Sequence, residues 1–229
     1  MKKLSYGALV LLMMVRPGGA NAQVNKNQII LTYNTSVNLS DENFEKRMGH
    51  VEKIYISDGD PIDGKKVALS FKDDVTEIAA WAFMDCTSLT SITIPDSVTE
   101  IGKWAFRGCS ALTSITLPNS ITKIEFGAFF GCASLTSIDI PNSVTKIGYL
   151  AFKGCMSLTS INIPSSVTEI GNAAFADCTS LTSIDIPNSV TEIEEGAFGN
   201  CRSLISAKIP KRFSGRNDIF PEHTKIQYY

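Results

Sequence analysis

Residues 180–201 read SLTSIDIPNSVTEIEEGAFGNC, and this block occurs with small variations five times between Ser88 and Cys201. The six cysteines mark its register: Cys86, Cys109, Cys132, Cys155, Cys178 and Cys201 stand 23 residues apart without a slip. A fixed period in this range is the signature of stacked coils, each too small to bury its apolar face alone and completed by its neighbours. With 229 residues, 44% of them hydrophobic, the chain is large enough for one ordinary globular core. The repeat instead draws that core out along an axis.

One coil, from Leu89 to Cys109, shows what each position does. Leu89, Ile92 and Ile94 form the pattern L-x-x-I-x-I, whose last two members have the period of two of a strand with one buried face. Pro95 ends the strand because it has no N–H for a continuing ladder. A turn through Asp96 and Ser97 leads to Val98 and Ile101. The apolar spacing then changes, with Ala105, Phe106 and Cys109 following Ile101 at helical intervals, which predicts a helix of about two turns. A helix so short needs the neighbouring coils to hold it. The residues before the cysteines are Asp85, Gly108, Gly131, Gly154, Asp177 and Asn200, all tolerant of left-handed backbone, and they predict a stop at the end of every coil.

Strand, proline turn and short helix at this period make a leucine-rich repeat. The fold class expected is α/β: a solenoid of 23-residue coils, with parallel strands about 4.8 Å apart on one face and short helices or turns on the other. More narrowly, SLTSIDIPNSVTEI followed by AF and then C resembles the BspA-like leucine-rich repeat proteins, a family of exported and surface proteins best known from host-associated bacteria. Many leucine-rich repeats carry an asparagine ladder after the strand; this chain has proline there, as that subfamily does. The resemblance spans residues 67–210. It implies adhesion to host proteins or other cells, or recognition by a host receptor.

The rest of the chain divides around this array. Residues 1–22 read as a secretory signal, with Lys2 and Lys3 ahead of an apolar run from Ala8 to Val15 and an A-x-A site at Ala20, Asn21 and Ala22. The expected location is therefore outside the cytoplasm: secreted, at the cell surface or in the periplasm. No later stretch is long and apolar enough to span a bilayer, so no membrane insertion is expected after cleavage. Cleavage would leave 18 Lys and Arg against 23 Asp and Glu, a net −5 that argues against nucleic acid as a partner.

Residues 23–66 read as an N-terminal cap, with a strand near residues 29–33 and a helix starting at Ser40 and Asp41. Val51, Ile54 and Ile56 repeat the V-x-x-I-x-I spacing, and Leu69 and Phe71 hold the strand positions of an incomplete first coil. Ala207 and Ile209 form the last regular strand. Residues 211–229, in which Ile226 and Tyr228 alternate, read as a C-terminal cap over the final edge.

Catalysis has little to work with. His50 and His223, the only histidines, fall in opposite caps, and no nucleophile elbow or phosphate-binding glycine loop is present. The stretch DGDPIDG with Asp58, Asp60 and Asp63 is misspaced for a calcium loop and reads as a solvated turn. The shared register of the cysteines predicts inward free thiols rather than disulfides, because parallel inward side chains rarely have bridging geometry. No catalytic residue, metal or cofactor is expected, and the chain reads as a non-enzymatic, monomeric binding protein.

Two surfaces remain. On the strand face the outward position runs Thr93, Thr116, Asp139, Asn162, Asp185 and Lys208, beside a row of serines. On the opposite side the segment entering each predicted helix varies most, with Lys103, Phe126, Tyr149, Asn172 and Glu195 in equivalent places and Phe130 nearby. Phe126, Phe130 and Tyr149 either form an exposed aromatic patch suited to a protein contact or tuck against the wall on that side. The partner expected is a protein, from the host or another cell surface. The alternatives are a structural spacer in the periplasm or extracellular matrix, and a glycan-binding surface on the polar strand face, which lacks the aromatic platform sugars usually need.

Overall fold

The computed structural model describes residues 28–33, 51–57, 65–71 and 75–229. The expected secretory signal and the expected helix at Ser40, like His50 and the DGDPIDG stretch, lie outside the described residues. Three strands come first: β1 (Gln28–Tyr33), β2 (Val51–Ser57) and β3 (Lys65–Phe71). β3 pairs antiparallel with both β1 and β2, so Leu69 and Phe71 belong to an antiparallel sheet and not to a parallel first coil. β1 also pairs antiparallel with Leu89–Thr93, the first of the longer strands of the array, and joins the two systems edge to edge.

From Val75 onward two rows of strands interleave. One row has two-residue strands: β4 (Glu77–Ile78), β6 (Glu100–Ile101), β8 (Lys123–Ile124), β9 (Lys146–Ile147), β10 (Glu169–Ile170) and β12 (Glu192–Ile193). The other has longer strands: β5 (Leu89–Thr93), β7 (Ser114–Thr116), β11 (Ser183–Asp185), β13 (Ser206–Ile209) and β14 (Lys225–Tyr228). Within the array all pairings are parallel; up to β13 they advance by one 23-residue period, as in Ile92 with Ile115 and Ile184 with Ala207, and β14 follows β13 at a shorter step, Ala207 with Ile226. The alternation is that of strands with one buried face: Ile115 and Ile184 are buried, while their neighbours Ser114, Thr116, Ser183 and Asp185 are exposed. The longer row is not one continuous sheet. β7 ends one ladder, Asp139 and Asn162 share a single bridge, and β11, β13 and β14 form another ladder.

The short helices predicted from the 101, 105, 106, 109 spacing are not there. The only helical element among the described residues is a 3-10 turn, Lys211–Phe213. The reason lies in where the donors go. In residues 102–109 the N–H groups of Ala105, Arg107 and Cys109 donate within the segment, to the carbonyls of Gly102, Trp104 and Phe106 at 3.1–3.2 Å. Those of Trp104, Phe106 and Gly108 donate outward, to Phe126, Ala128 and Phe130 of the next coil at 2.7–2.9 Å. An α-helix would keep every such bond inside its own segment. Left-handed backbone at Trp104 (φ 59°) and Gly108 (φ 72°) also excludes it. Consecutive turns bury the same residues as a helix would, and they also stitch coil to coil. The predicted left-handed stop is present in all six coils, with positive φ at Asp85, Gly108, Gly131, Gly154, Asp177 and Asn200.

The core is a set of columns running through the stack. Phe83, Phe106, Phe129, Phe152, Phe175 and Phe198 lie ring over ring, with centroids 5.1–5.4 Å apart and planes within 10°. Phe220 continues the column at 5.0 Å. It gets there because the tail copies the turn segment: Gly196 N–H donates to the Asp218 carbonyl and Phe198 N–H to that of Ile219. The tail then supplies β14 as a parallel neighbour of β13. The C-terminal residues are thus a degenerate further coil.

Beside the phenylalanines runs the cysteine column. All six thiols are free; five are buried and Cys86 is half-buried. Each buried thiol donates to a phenylalanine carbonyl of the preceding coil, from Cys109 to Phe83 at 3.0 Å through Cys201 to Phe175 at 3.1 Å. Threonine hydroxyls form ladders nearer the surface. Thr99 donates to the Thr76 carbonyl, Thr145 to Thr122, Thr168 to Thr145 and Thr191 to Thr168.

Candidate functional site

The fold presents the two surfaces the sequence singles out, and they differ in kind. On the strand face Thr93, Thr116, Asp139, Asn162 and Asp185 are all exposed. β5 and β7 set Thr93 beside Thr116, and the single bridge sets Asp139 beside Asn162. Asp185 faces Lys208 in the β11–β13 ladder, with 3.8 Å between carboxylate and ammonium. Where the ladder lapses after β7, a shallow depression of about 440 Å³ opens over Ile115, Leu117 and Pro141, with Thr116, Asn119, Asp139, Asn142 and Asn162 at its polar rim.

On the turn face Phe126, Phe130 and Tyr149 do come together, around a residue the sequence reading passed over. The Trp104 ring lies 4.5 Å from Phe126 and 5.5 Å from Phe130, and Phe126 lies 5.0 Å from Tyr149. Tyr149 is 45% exposed, while Trp104, Phe126 and Phe130 are half-buried, each hidden largely by the others. The Arg107 guanidinium stands over the Trp104 and Phe130 rings, at 5.4 and 5.9 Å from their centroids. Both readings of the aromatic residues thus hold in part: they pack on one another, at the surface.

A local backbone device makes room for Trp104. It occupies the column Trp81, Trp104, Gly127, Leu150, Ala173 and Gly196, where every residue has φ between +51° and +65°. Glycine suits such a site, and a bulky residue there costs on the order of 1 kcal/mol or more. Gly127 has a second reason to lack a side chain, since a Cβ would fall 2.2 Å from the Trp104 ring. The signal was present in the sequence. Two tryptophans recur immediately after the variable positions Ala80 and Lys103, one column beyond those compared.

The buried groups are poor candidates for chemistry. Burial pushes the thiols of Cys109, Cys155 and Cys178 well above their ordinary range and those of Cys132 and Cys201 up to about 12, so they stay protonated and unreactive at neutral pH. Among the described residues no three His, Cys, Asp or Glu side chains converge as a metal site would require. No helix among them is long and apolar enough to cross a membrane.

The family model described as BspA type leucine rich repeat region matches in six copies, over residues 65–178 and 105–227. The chain belongs to the BspA-type leucine-rich repeat family. Solved structures agree. A leucine-rich repeat protein from Bacteroides ovatus is 35% identical with a TM-score of 0.63, over 69% of this chain and 41% of that one. A leucine-rich repeat protein of T. pallidum is 37% identical with a TM-score of 0.58, over 66% and 74% of the two chains. The BspA-type array described here therefore spans less than half of the Bacteroides protein. No curated protein matches the chain.

Proposed function

We propose that this BspA-type chain is a non-enzymatic, exported protein-binding module that mediates adhesion to, or recognition of, host or neighbouring-cell proteins, and that it binds through the turn face. The observation that carries this reading is Trp104. Two other coils place glycine at its left-handed position, so the stack does not need a tryptophan there and pays in backbone strain to keep one. With Phe126, Phe130, Tyr149 and Arg107 it forms a surface rich in the residues that dominate protein–protein hot spots. A repeat array also offers an extended surface for recognition rather than an enclosed reaction chamber.

Two multiple variants divide the surfaces: Phe126, Phe130 and Tyr149 to serine, and Asp139, Asn162 and Asp185 to alanine. Each is first checked to remain folded, with a cooperative melting transition above the assay temperature, and then presented to a panel of host extracellular proteins and a glycan array. Loss of protein binding in the first variant alone, through faster dissociation, supports the reading. Retention in both makes the array a spacer.

A second reading has its own support. The depression on the strand face joins planar amide and carboxylate groups at Asn119, Asp139, Asn142 and Asn162 to an apolar floor, a combination suited to a sugar. Glycan binding lost only in the alanine variant favours it.

A further inference from the structure

We infer that the ligand of the turn face is an acidic polypeptide segment, an inference that rests on the reading just proposed. Among the described residues the cations of this face differ in whether they meet a carboxylate. Lys153, which occupies the Arg107 position two coils on, meets Asp177 at 3.7 Å. The residue that would answer Arg107 in the same way, 24 positions later, is Gly131. Lys146 is paired with Glu169 at 2.5 Å and Arg216 with Asp218 at 2.6 Å. Arg107 and Lys103, both exposed, have no carboxylate within ion-pair distance among the described residues, although Asp85 and Glu125 lie on the adjacent coils, the Asp85 N–H donating to the Arg107 carbonyl.

Arg107 is held in place all the same. Its guanidinium lies over Trp104 and Phe130, and among the described residues it donates to the Met84 sulfur at 3.8 Å, a weak acceptor. Stacking orients the planar fork while leaving its donors free for a bidentate carboxylate. Around it the rings of Trp104, Phe126, Phe130 and Tyr149 offer apolar area of the kind that seats aromatic and aliphatic side chains. Arg107 over two of these rings, with Lys103 one residue before Trp104, and neither in an ion pair among the described residues, suits a glutamate- or aspartate-bearing peptide with apolar residues between its charges. An anionic polysaccharide calls for the reverse, a row of cations with little apolar area.

The test titrates the full chain with a random glutamate–tyrosine copolymer, a lysine–tyrosine copolymer and heparin, following binding by interferometry at low and high salt. Only the glutamate–tyrosine copolymer is expected to bind saturably, and more weakly as salt rises. The double variant K103E/R107E should bind it about tenfold more weakly or worse. R107M, which keeps an apolar stem over the rings, should lose part of the affinity, and it carries the comparison if the double variant fails to fold.

Absence of copolymer binding, equal binding by the charge variants, or a preference for heparin overturns the inference. The serine variant at Phe126, Phe130 and Tyr149 tells this failure from failure of the underlying reading. Copolymer binding lost there but kept in the charge variants sinks only the acidic partner. Binding kept in both sets of variants removes the turn face altogether.

Discussion

Truncating Phe106 to alanine tests the columnar core directly. The side chain is fully buried, and its ring stacks on Phe83 at 5.2 Å and on Phe129 at 5.4 Å. Removing a buried phenylalanine ordinarily costs about 3–5 kcal/mol in lost transfer energy and residual cavity. Two stacked pairs add about 0.5–1.5 kcal/mol each beyond area, and inter-coil bonds from Phe106 N–H to Ala128 and from the Cys132 thiol to the Phe106 carbonyl keep the backbone from collapsing into the void. The expected loss is therefore at the top of the range, about 5 kcal/mol. Phe126 gives the contrast: its ring is half-buried and touches Trp104 and Tyr149 at the surface, so the same change should cost about 1–2 kcal/mol. Guanidinium unfolding of the two variants, compared by midpoint and slope, measures both. Losses equal to within about 1 kcal/mol would refute the reasoning, since they would mean that the phenylalanine column and the surface cluster are not energetically distinct.

Three further predictions follow from the same geometry. Thiol labelling of the native, non-reduced protein should leave Cys109, Cys132, Cys155, Cys178 and Cys201 unmodified, with Cys86 reacting slowly, and should find all six after denaturation; any disulfide found would contradict the free-thiol column. Burial raises the Cys132 and Cys201 thiols from 9.0 to about 12, so the stability they contribute is fully present below pH 9 and is lost as the pH climbs toward 12. The midpoint should therefore fall above pH 9, and less steeply in Cys132→Ala, by up to about 1.4 kcal/mol per pH unit; identical slopes would exclude the linkage. Gly127→Ala puts a Cβ at φ +60° and 2.2 Å from the Trp104 ring, which should lower stability by about 2 kcal/mol and shift the Trp104 emission, whereas an unperturbed spectrum would show that the ring does not lie there.

The coil was legible in the sequence because every stacked position repeats. Leu89, Ile92, Pro95, Val98, Ile101, Ala105, Phe106 and Cys109 each recur in register, and each marks a buried column or a turn. The left-handed residues before the cysteines were readable for the same reason, since only Gly, Asp and Asn occur there. The helices were misread because hydrophobic spacing reports which side chains point inward and not where the N–H groups donate; Phe106 would be buried either way, but its N–H belongs to Ala128. The strand at Leu69 is present, but its partners were not legible, because an antiparallel neighbour leaves the same alternation as a parallel one. Of the candidate surface, Phe126, Phe130 and Tyr149 stood out by breaking the monotony. Trp104 did not, because it shares a column with Trp81 and its contact with the cluster depends on Gly127, which as a glycine draws no notice. That Arg107, unlike Lys153, meets no carboxylate among the described residues was hidden for a similar reason, since it appears only when Gly131 is compared with Asp177 across two coils.

Ring stacking, thiol donors and alternate turn N–H groups all connect one coil to the next and skip none. Such a body has no central point at which to fail. Pulled along its axis, it meets a series of similar barriers, one for each layer, instead of a single large one. Each layer that gives way releases 23 residues, about 80 Å of extended chain, for a loss of only about 5 Å of folded length. The molecule can thus lengthen in steps under load while its remaining layers stay folded, and the aromatic cluster, set across the coils of Trp104, Phe126 and Tyr149, survives the peeling of either end.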